Sequence, residues 1–337
     1  MNFNGYEPGD FYDELFTRDG APRASCRPLV DQINKLVPKG LGRRQRAAEA
    51  ALLQMGITFS VYGDRDGTEK IFPFDLIPRI IESDEWDKVA KGLEQRIRAL
   101  NLFIDDVYND QKILKDKVVP FDLVESAATF LKPCKGLRPP KGIWIHITGS
   151  DLIRDHDGTF YVLEDNLRCP SGVSYLLENR AVLKRTFPAA FKSMSVRLVN
   201  NYCDQLLETL RFISPTDSSK PKVVVMTPGV YNSAYFEHAY LAQQMGVELV
   251  EGRDLVVNDG AVCMRTTKGL EKIDVIYRRI DDEYLDPKVF NSDSMLGVPG
   301  LMEVYLNGGV GLANAPGTAS LMTKPFTPIL QKLLNTI

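Results

Sequence analysis

Between Val223 and Val250 the chain sets a strand, a helix and a second strand in close succession. Val223-Val224-Val225-Met226 is an unbroken apolar run, the mark of a strand buried on both faces. A helical stretch from Ser233 to Met245 closes at Gly246, and Val247-Glu248-Leu249-Val250 supplies the second strand. Strands joined through a helix pair in parallel, and a parallel pair needs helices over its faces. This βαβ unit therefore commits this part of the chain to an α/β architecture.

The rest of the chain is organised around that unit. Residues 1 to about 130 read as mainly helical: Trp86, Val89, Leu93, Ile97, Leu100, Ile104 and Val107 form one stripe of a helix that starts near Ser83. Ile57 to Tyr62 has strand composition and runs into a turn at Gly63-Asp64-Arg65-Asp66-Gly67, whereas Ile71 to Pro78 is interrupted by two prolines and reads as a packed loop. Ile143 to Ile147 and Thr159 to Glu164 are expected strands on either side of Asp155-His156-Asp157-Gly158, whose Asp-Gly step signals a hairpin. One long helix is expected from Pro188 to Ile213, with Leu198 among its apolar positions. Ser214 to Ser219 reads as a linker, and Ile273 to Ile280 as a further strand.

A length of 337 residues predicts about two domains, and 44% apolar with 25% charged residues excludes disorder, collagen and coiled coil as the main class. With 41 basic against 44 acidic residues there is no field to attract nucleic acid or an anionic membrane. No apolar run reaches the ~18 residues of a membrane span and no signal peptide is evident, so a cytoplasmic location is expected. Five scattered cysteines, with no C-x-x-C pair, read as free thiols.

The hairpin carries the densest chemistry. Asp155-x-Asp157-Gly158 with Glu164 imitates part of an EF-hand loop, but its first ligand position would be Ile153 and its flanks are strands. A better set is Asp151, at the end of one strand, with Glu164 and Asn166, two apart, on the other. Two carboxylates and an amide oxygen on one face are hard ligands suited to Mg²⁺, the competing reading being an ordinary solvated face. Leu167 to Ser174 is a polar loop whose Arg168 could hold a phosphate or carboxylate. Alternation allows at most one of Arg278 and Arg279 to face a given pocket. Thr227-Pro228-Gly229 falls where open α/β sheets bind ligands, though without a glycine fingerprint. Cys169 as a nucleophile has neither His156 nor His238 tied to it.

His146 to Asp155, Tyr161 to Arg168, Pro170 to Tyr175 and Glu178-Asn179-Arg180 resemble the circularly permuted ATP-grasp proteins related to glutathionylspermidine synthase. The likeness extends from about Tyr12 to Thr318, through Gly56 to Phe59, Ile71 to Arg79, Ala234 to Val257, Ile276 to Pro287 and Asp293 to Gly300. It implies an ATP-dependent carboxylate–amine ligase using ATP and Mg²⁺, acting through an acyl phosphate on small-molecule or peptide substrates. By motif position it implies Asp151, Glu164 and Asn166 as metal ligands, Arg168 and Arg278 as catalytic groups, and Ser171, Ser174 and Arg279 as substrate contacts. The implied organisation is a helical region at 1–130, a metal-bearing half of the grasp at 131–214, a Rossmann-like substrate domain at 220–275 and a return segment at 276–318.

Two departures accompany the likeness. The synthase carries an arginine two residues before the first metal aspartate, where this chain has Gly149. The family continues Ala-Pro-Gly-Thr into Gly, an aliphatic residue and Ala-Asp-Asp-Lys, whereas this chain diverges at Ala319. Codons chosen for residues 319–337 return the family sequence when one base is restored, so a one-base deletion is expected there, with the nucleotide-binding lobe lost. The alternative to the ligase is a non-catalytic binding or scaffold protein that keeps the fold.

Overall fold

The computed structural model describes residues 3, 5–36, 40–60, 69–71, 73–127 and 130–321. Along the chain it places helices α1 (Arg27–Asn34) and α2 (Gly40–Gln54), strands β1 (Thr58–Ser60) and β2 (Glu69–Ile71), then α3 (Ser83–Tyr108), α4 (Lys112–Lys115) and α5 (Phe121–Glu125). The hairpin strands β3 (Gly149–Arg154) and β4 (Phe160–Asn166) precede α6 (Val173–Thr186), α7 (Pro188–Met194) and α8 (Tyr202–Phe212). The remainder is β5 (Val223–Met226), α9 (Tyr235–Met245), β6 (Glu248–Val250), β7 (Leu255–Asn258), β8 (Ala261–Thr266), β9 (Gly269–Lys272), β10 (Val275–Arg278), α10 (Leu301–Leu306) and β11 (Gly311–Ala313). The turn expected at residues 63–67 and the stretch beyond Leu321 lie outside the described residues.

The chain divides into two compact units, one of residues 1–92, 152–162 and 172–201, the other of residues 93–151, 163–171 and 202–337. In the first, α1 packs on α7 and α2 on α6, and β1 pairs antiparallel with β2. Leu29, Val30, Ile33 and Leu52 are buried there. Arg154 lies between the rings of Tyr12 and Phe160, 3.9 and 4.6 Å from their centroids, and is neutralised by Glu85 and Glu14.

The second unit is built on a four-stranded parallel sheet in the order β11-β10-β5-β6. Val275 pairs with Gly311 on one side and Val223 on the other, and Val224 pairs with Glu248. The βαβ expectation is met: β5 and β10 are buried along their whole length, and Gly246 ends α9 in the left-handed region at φ 66°. The same unit contains an antiparallel sheet β7-β8-β9. Its core takes in Leu100, Phe103, Ile104 and Val107, the inner part of the α3 stripe. Tyr108 stacks on Phe130 and Trp144, with ring centroids 5.1 and 5.0 Å away.

Three expected elements differ. The helix from Pro188 to Ile213 is two helices, because Ser195 turns left-handed at φ 48° and Leu198, counted in the stripe, is 79% exposed. The strand at Ile143 to Ile147 is a buried loop: the backbone N–H groups of Trp144 and Ile145 donate to Asn101 Oδ1 instead of to a neighbouring strand. Ser214 is buried rather than part of a solvated linker, its hydroxyl meeting Thr216 Oγ1, which in turn donates to Asp274. Among the described residues no helix is long and apolar enough to cross a membrane.

Candidate functional site

The hairpin turn consumes the residues that imitate an EF-hand. Gly158 at φ 89° lets its N–H reach the Asp155 carbonyl, and Asp157 accepts from the Thr159 N–H at 2.8 Å. A Cβ at 158 would come within 2.7 Å of the Tyr12 ring, so glycine is required on two counts.

Strand alternation breaks between Leu163 and Glu164. Both are exposed, after which Asp165 turns inward at 3% exposure and Asn166 outward. Adjacent exposed residues in a strand mark a shift of phase of the kind a bulge produces. The shift is held from inside: Asp165 accepts from Arg96 Nε at 2.7 Å and from Ser150 Oγ at 2.6 Å. On the outside, alternation sets Glu164 and Asn166 on one face, and the predicted trio comes together there, with Asn166 Nδ2 at 3.5 Å from both Asp151 Oδ2 and Glu164 Oε1. Asp151 lies within β3 rather than at a strand end.

Neither Asp151 nor Glu164 is paired with a lysine or arginine among the described residues. Converging, uncompensated carboxylates beside an amide fit a hard cation. No three His, Cys, Asp or Glu side chains gather into a metal centre among the described residues, so a cation here would complete its shell with water or phosphate oxygens.

The loop after β4 is held against the end of β10. Arg279 Nη1 donates to the Pro170 carbonyl at 2.6 Å, Cys169 Sγ lies 3.5 Å from the Ile280 carbonyl, and Arg168 Nη2 pairs with Asp281 at 3.0 Å. Arg168 keeps 37% of its side chain exposed, and Ser171 is exposed at the loop's end. These groups can meet an anion.

Three predicted residues are placed differently. Arg278 is fully buried, and its guanidinium donates to the carbonyls of Asn314, Ile280 and Ala315 while pairing with Asp282 at 2.7 Å. Arg279 is 4% exposed and pairs with fully buried Glu237 at 3.0 Å. Both arginines are interior groups with separate partners, Arg278 with Asn314 and Ala315 and Arg279 with Pro170 and Glu237, which is compatible with strand alternation. Ser174 is also fully buried, in the first turn of α6, and offers no exposed hydroxyl.

Burial raises the Cys169 thiol, which makes it inert as a nucleophile at neutral pH. Burial pushes His146 down to about 4 and His238 down to about 3, and His238 Nδ1 is engaged with Thr227 Oγ1 at 2.9 Å. The Thr227-Pro228-Gly229 turn uses that hydroxyl a second time, as acceptor for the Gly229 N–H. A cleft of about 390 Å³ lined by Tyr108, Gln111, Lys135 and Arg138 contains none of the predicted site residues.

Asp165, Arg96 and Asn314 escaped the sequence analysis. Asn314 interrupts the run Leu312-Ala313-Asn314-Ala315-Pro316, and a lone amide in small apolar surroundings must find partners. That was the available signal.

The family described as circularly permuted ATP-grasp type 2 matches residues 78–337. An uncharacterized protein of Synechocystis sp. is 56% identical over 99% of this chain and 70% of its own length. One of Mycobacterium tuberculosis is 49% identical over 94% of this chain, which spans 57% of that relative. A Frankia alni protein named as a candidate glutamate–cysteine ligase is 39% identical over 93% of this chain and 36% of its own length. A glutathione synthetase-like effector from Globodera pallida shares the fold, with a TM-score of 0.56 at 13% identity over 89% of this chain and 68% of its own.

Proposed function

Because the chain belongs to the circularly permuted ATP-grasp type 2 family, we propose that its hairpin is the cation-bearing wall of an ATP-dependent carboxylate–amine ligase. The observation that carries this reading is the Asn166 amide set 3.5 Å from each of two carboxylates that no described lysine or arginine neutralises. Asp151, Glu164 and Asn166 would hold Mg²⁺, with the Asn166 amide turned so that Oδ1 instead of Nδ2 faces the carboxylates, and the ion when bound would neutralise charge on a phosphoryl group in transfer.

The reaction has two stages. A substrate carboxylate takes the terminal phosphoryl group of ATP, and an amine then displaces phosphate from the acyl phosphate to leave an amide. Arg168, fixed at one end by Asp281, is the arginine positioned to meet the phosphoryl oxygens. Ser171 offers a hydroxyl to a substrate oxygen at the end of the same loop. Arg279 keeps that loop in place through the Pro170 carbonyl and has no direct part in the chemistry. The substrates are small molecules, and the name of the Frankia relative makes L-glutamate the carboxylate to try first.

Two measurements test this. Mn²⁺ titrated into the chain should bind, and Asp151→Ala or Glu164→Ala should remove the binding. The longer Synechocystis relative, given Mg·ATP, L-glutamate and hydroxylamine as the amine, should form a hydroxamate with matching ADP release. Cation binding without ADP release from any amino acid supplied would sink the ligase and favour a binding protein of the same fold.

A further inference from the structure

Antiparallel strands ordinarily hold their separation through ladder hydrogen bonds, yet the segments that enter and leave this hairpin are joined by a side chain. The backbone N–H groups of His146 and Ile147 both donate to Asn314 Oδ1, at 2.7 and 2.9 Å. The Asn314 Nδ2 donates to the Ile147 carbonyl at 2.7 Å and to the Leu167 carbonyl at 2.8 Å, with the Arg168 carbonyl at 3.4 Å. One amide, 1% exposed, thus spans from four residues before Asp151 to the residue that follows Asn166.

The bridge is itself anchored. Asn314 follows directly on β11, so the parallel sheet sets where it stands. Arg278 Nε donates to the Asn314 carbonyl at 2.7 Å, and the Ala315 N–H donates to the Trp144 carbonyl at 2.9 Å. An amide with both lone-pair directions and both N–H groups engaged cannot rotate without losing several bonds together.

We propose that Asn314 is a positioning residue of the hairpin site, setting the distance between the strand that carries Asp151 and the strand that carries Glu164 and Asn166. This rests on the reading of those three as cation ligands. A group that orients ligands without touching the ion typically changes affinity by about ten- to a hundredfold when removed. The asparagine amide is also specific: a carboxylate of the same size could accept from residues 146 and 147 but could not donate to the carbonyls of Ile147 and Leu167.

The experiment measures Mn²⁺ affinity, with Mn²⁺ alone as the probe, and backbone hydrogen exchange in the same proteins. The variants are Asn314→Ala, Asn314→Asp and, as a control outside the network, Val304→Ala in α10. We expect both Asn314 variants to weaken Mn²⁺ about ten- to a hundredfold, and Asn314→Ala, which lacks the acceptor, to speed exchange at His146 and Ile147. Val304→Ala should lower stability without changing Mn²⁺ affinity, which separates positioning from general loss of stability. Asn314 variants that bind Mn²⁺ within twofold of the parent, while Asp151→Ala abolishes binding, would overturn the positioning role and leave the cation site standing. A parent chain that does not bind Mn²⁺ would overturn both. If Asn314→Ala does not fold, Asn314→Asp carries the measurement, and failure of both to fold would make Asn314 a core residue and overturn the proposal.

Discussion

Arg278 Nε donates to the backbone carbonyl of Asn314 at 2.7 Å, joining the last residue of one parallel strand to the residue that leaves the next. The same guanidinium reaches the Ala315 and Ile280 carbonyls and pairs with Asp282, a residue 4% exposed. A buried arginine with this many partners works as a structural clamp. Arg278→Met leaves the Asp282 carboxylate buried and uncompensated, which costs about 3–5 kcal/mol. Urea unfolding should register that loss, whereas a purely catalytic arginine would leave the midpoint unmoved.

Gly149 answers to a different constraint. A Cβ there would stand 3.1 Å from Pro170 Cβ, a tight approach, and 3.6 Å from Asn166 Cβ, an ordinary contact, so a side chain at the start of β3 would press on the site loop at Pro170. The resemblance implies an arginine at this place in the synthase, and here a side chain would press on Pro170 of the site loop. Gly149→Ala should cost about 1–3 kcal/mol, as overpacking does, and should weaken Mn²⁺ binding as displacement of Pro170 carries the loop after Asn166 with it. Unchanged Mn²⁺ affinity in a destabilised variant would show that the crowding is relieved at Pro170 alone.

The parts legible in sequence were those with local causes. The parallel pair announced itself through the apolar run Val223 to Met226, and the hairpin turn through Asp157-Gly158. Asp151, Glu164 and Asn166 were legible as a set through strand alternation, but the inward anchor between them was not, since Asp165 is held by Arg96 and Ser150, 69 and 15 residues away. The burial of Arg278 and Arg279 was hidden for the same reason. Their partners, Asn314 and Ala315 in one case, Glu237 and Pro170 in the other, lie 36 or more residues away. Local periodicity carries no record of such pairings.

The two site carboxylates should be separable from stability. Asp151 and Glu164 are exposed and meet the Asn166 amide, so Asp151→Asn and Glu164→Gln should change the unfolding free energy by no more than about 0.5 kcal/mol. Each should reduce Mn²⁺ affinity by at least about a hundredfold, more than a group outside the coordination shell would. Asp165→Ala should do the reverse in stability, losing about 3–5 kcal/mol because Arg96 is left without its partner. Equal destabilisation by all three would contradict the division into an outward ligand face and an inward anchor.

Stability should fall with acid in a window set by two buried histidines. Burial holds His146 down to about 4 and His238 down to about 3, with Arg278 and Arg279 respectively adding to the effect, against 6.5 for an unhindered imidazole. Between those values and 6.5 the unfolded chain binds protons that the folded chain refuses, so the histidine contribution is fully present above about pH 6.5 and is lost as pH drops through the window. Each histidine contributes about 1.4 kcal/mol per pH unit there, or about 2–3 kcal/mol for the pair between pH 6.5 and 5.5. His238→Gln should remove about half of that slope in urea unfolding followed from pH 7.5 to 5. The Thr227 hydroxyl still finds an acceptor in the glutamine amide, so the variant should remain folded at neutral pH. An unchanged slope would mean that His238 gains solvent access in the folded state and titrates near its ordinary value.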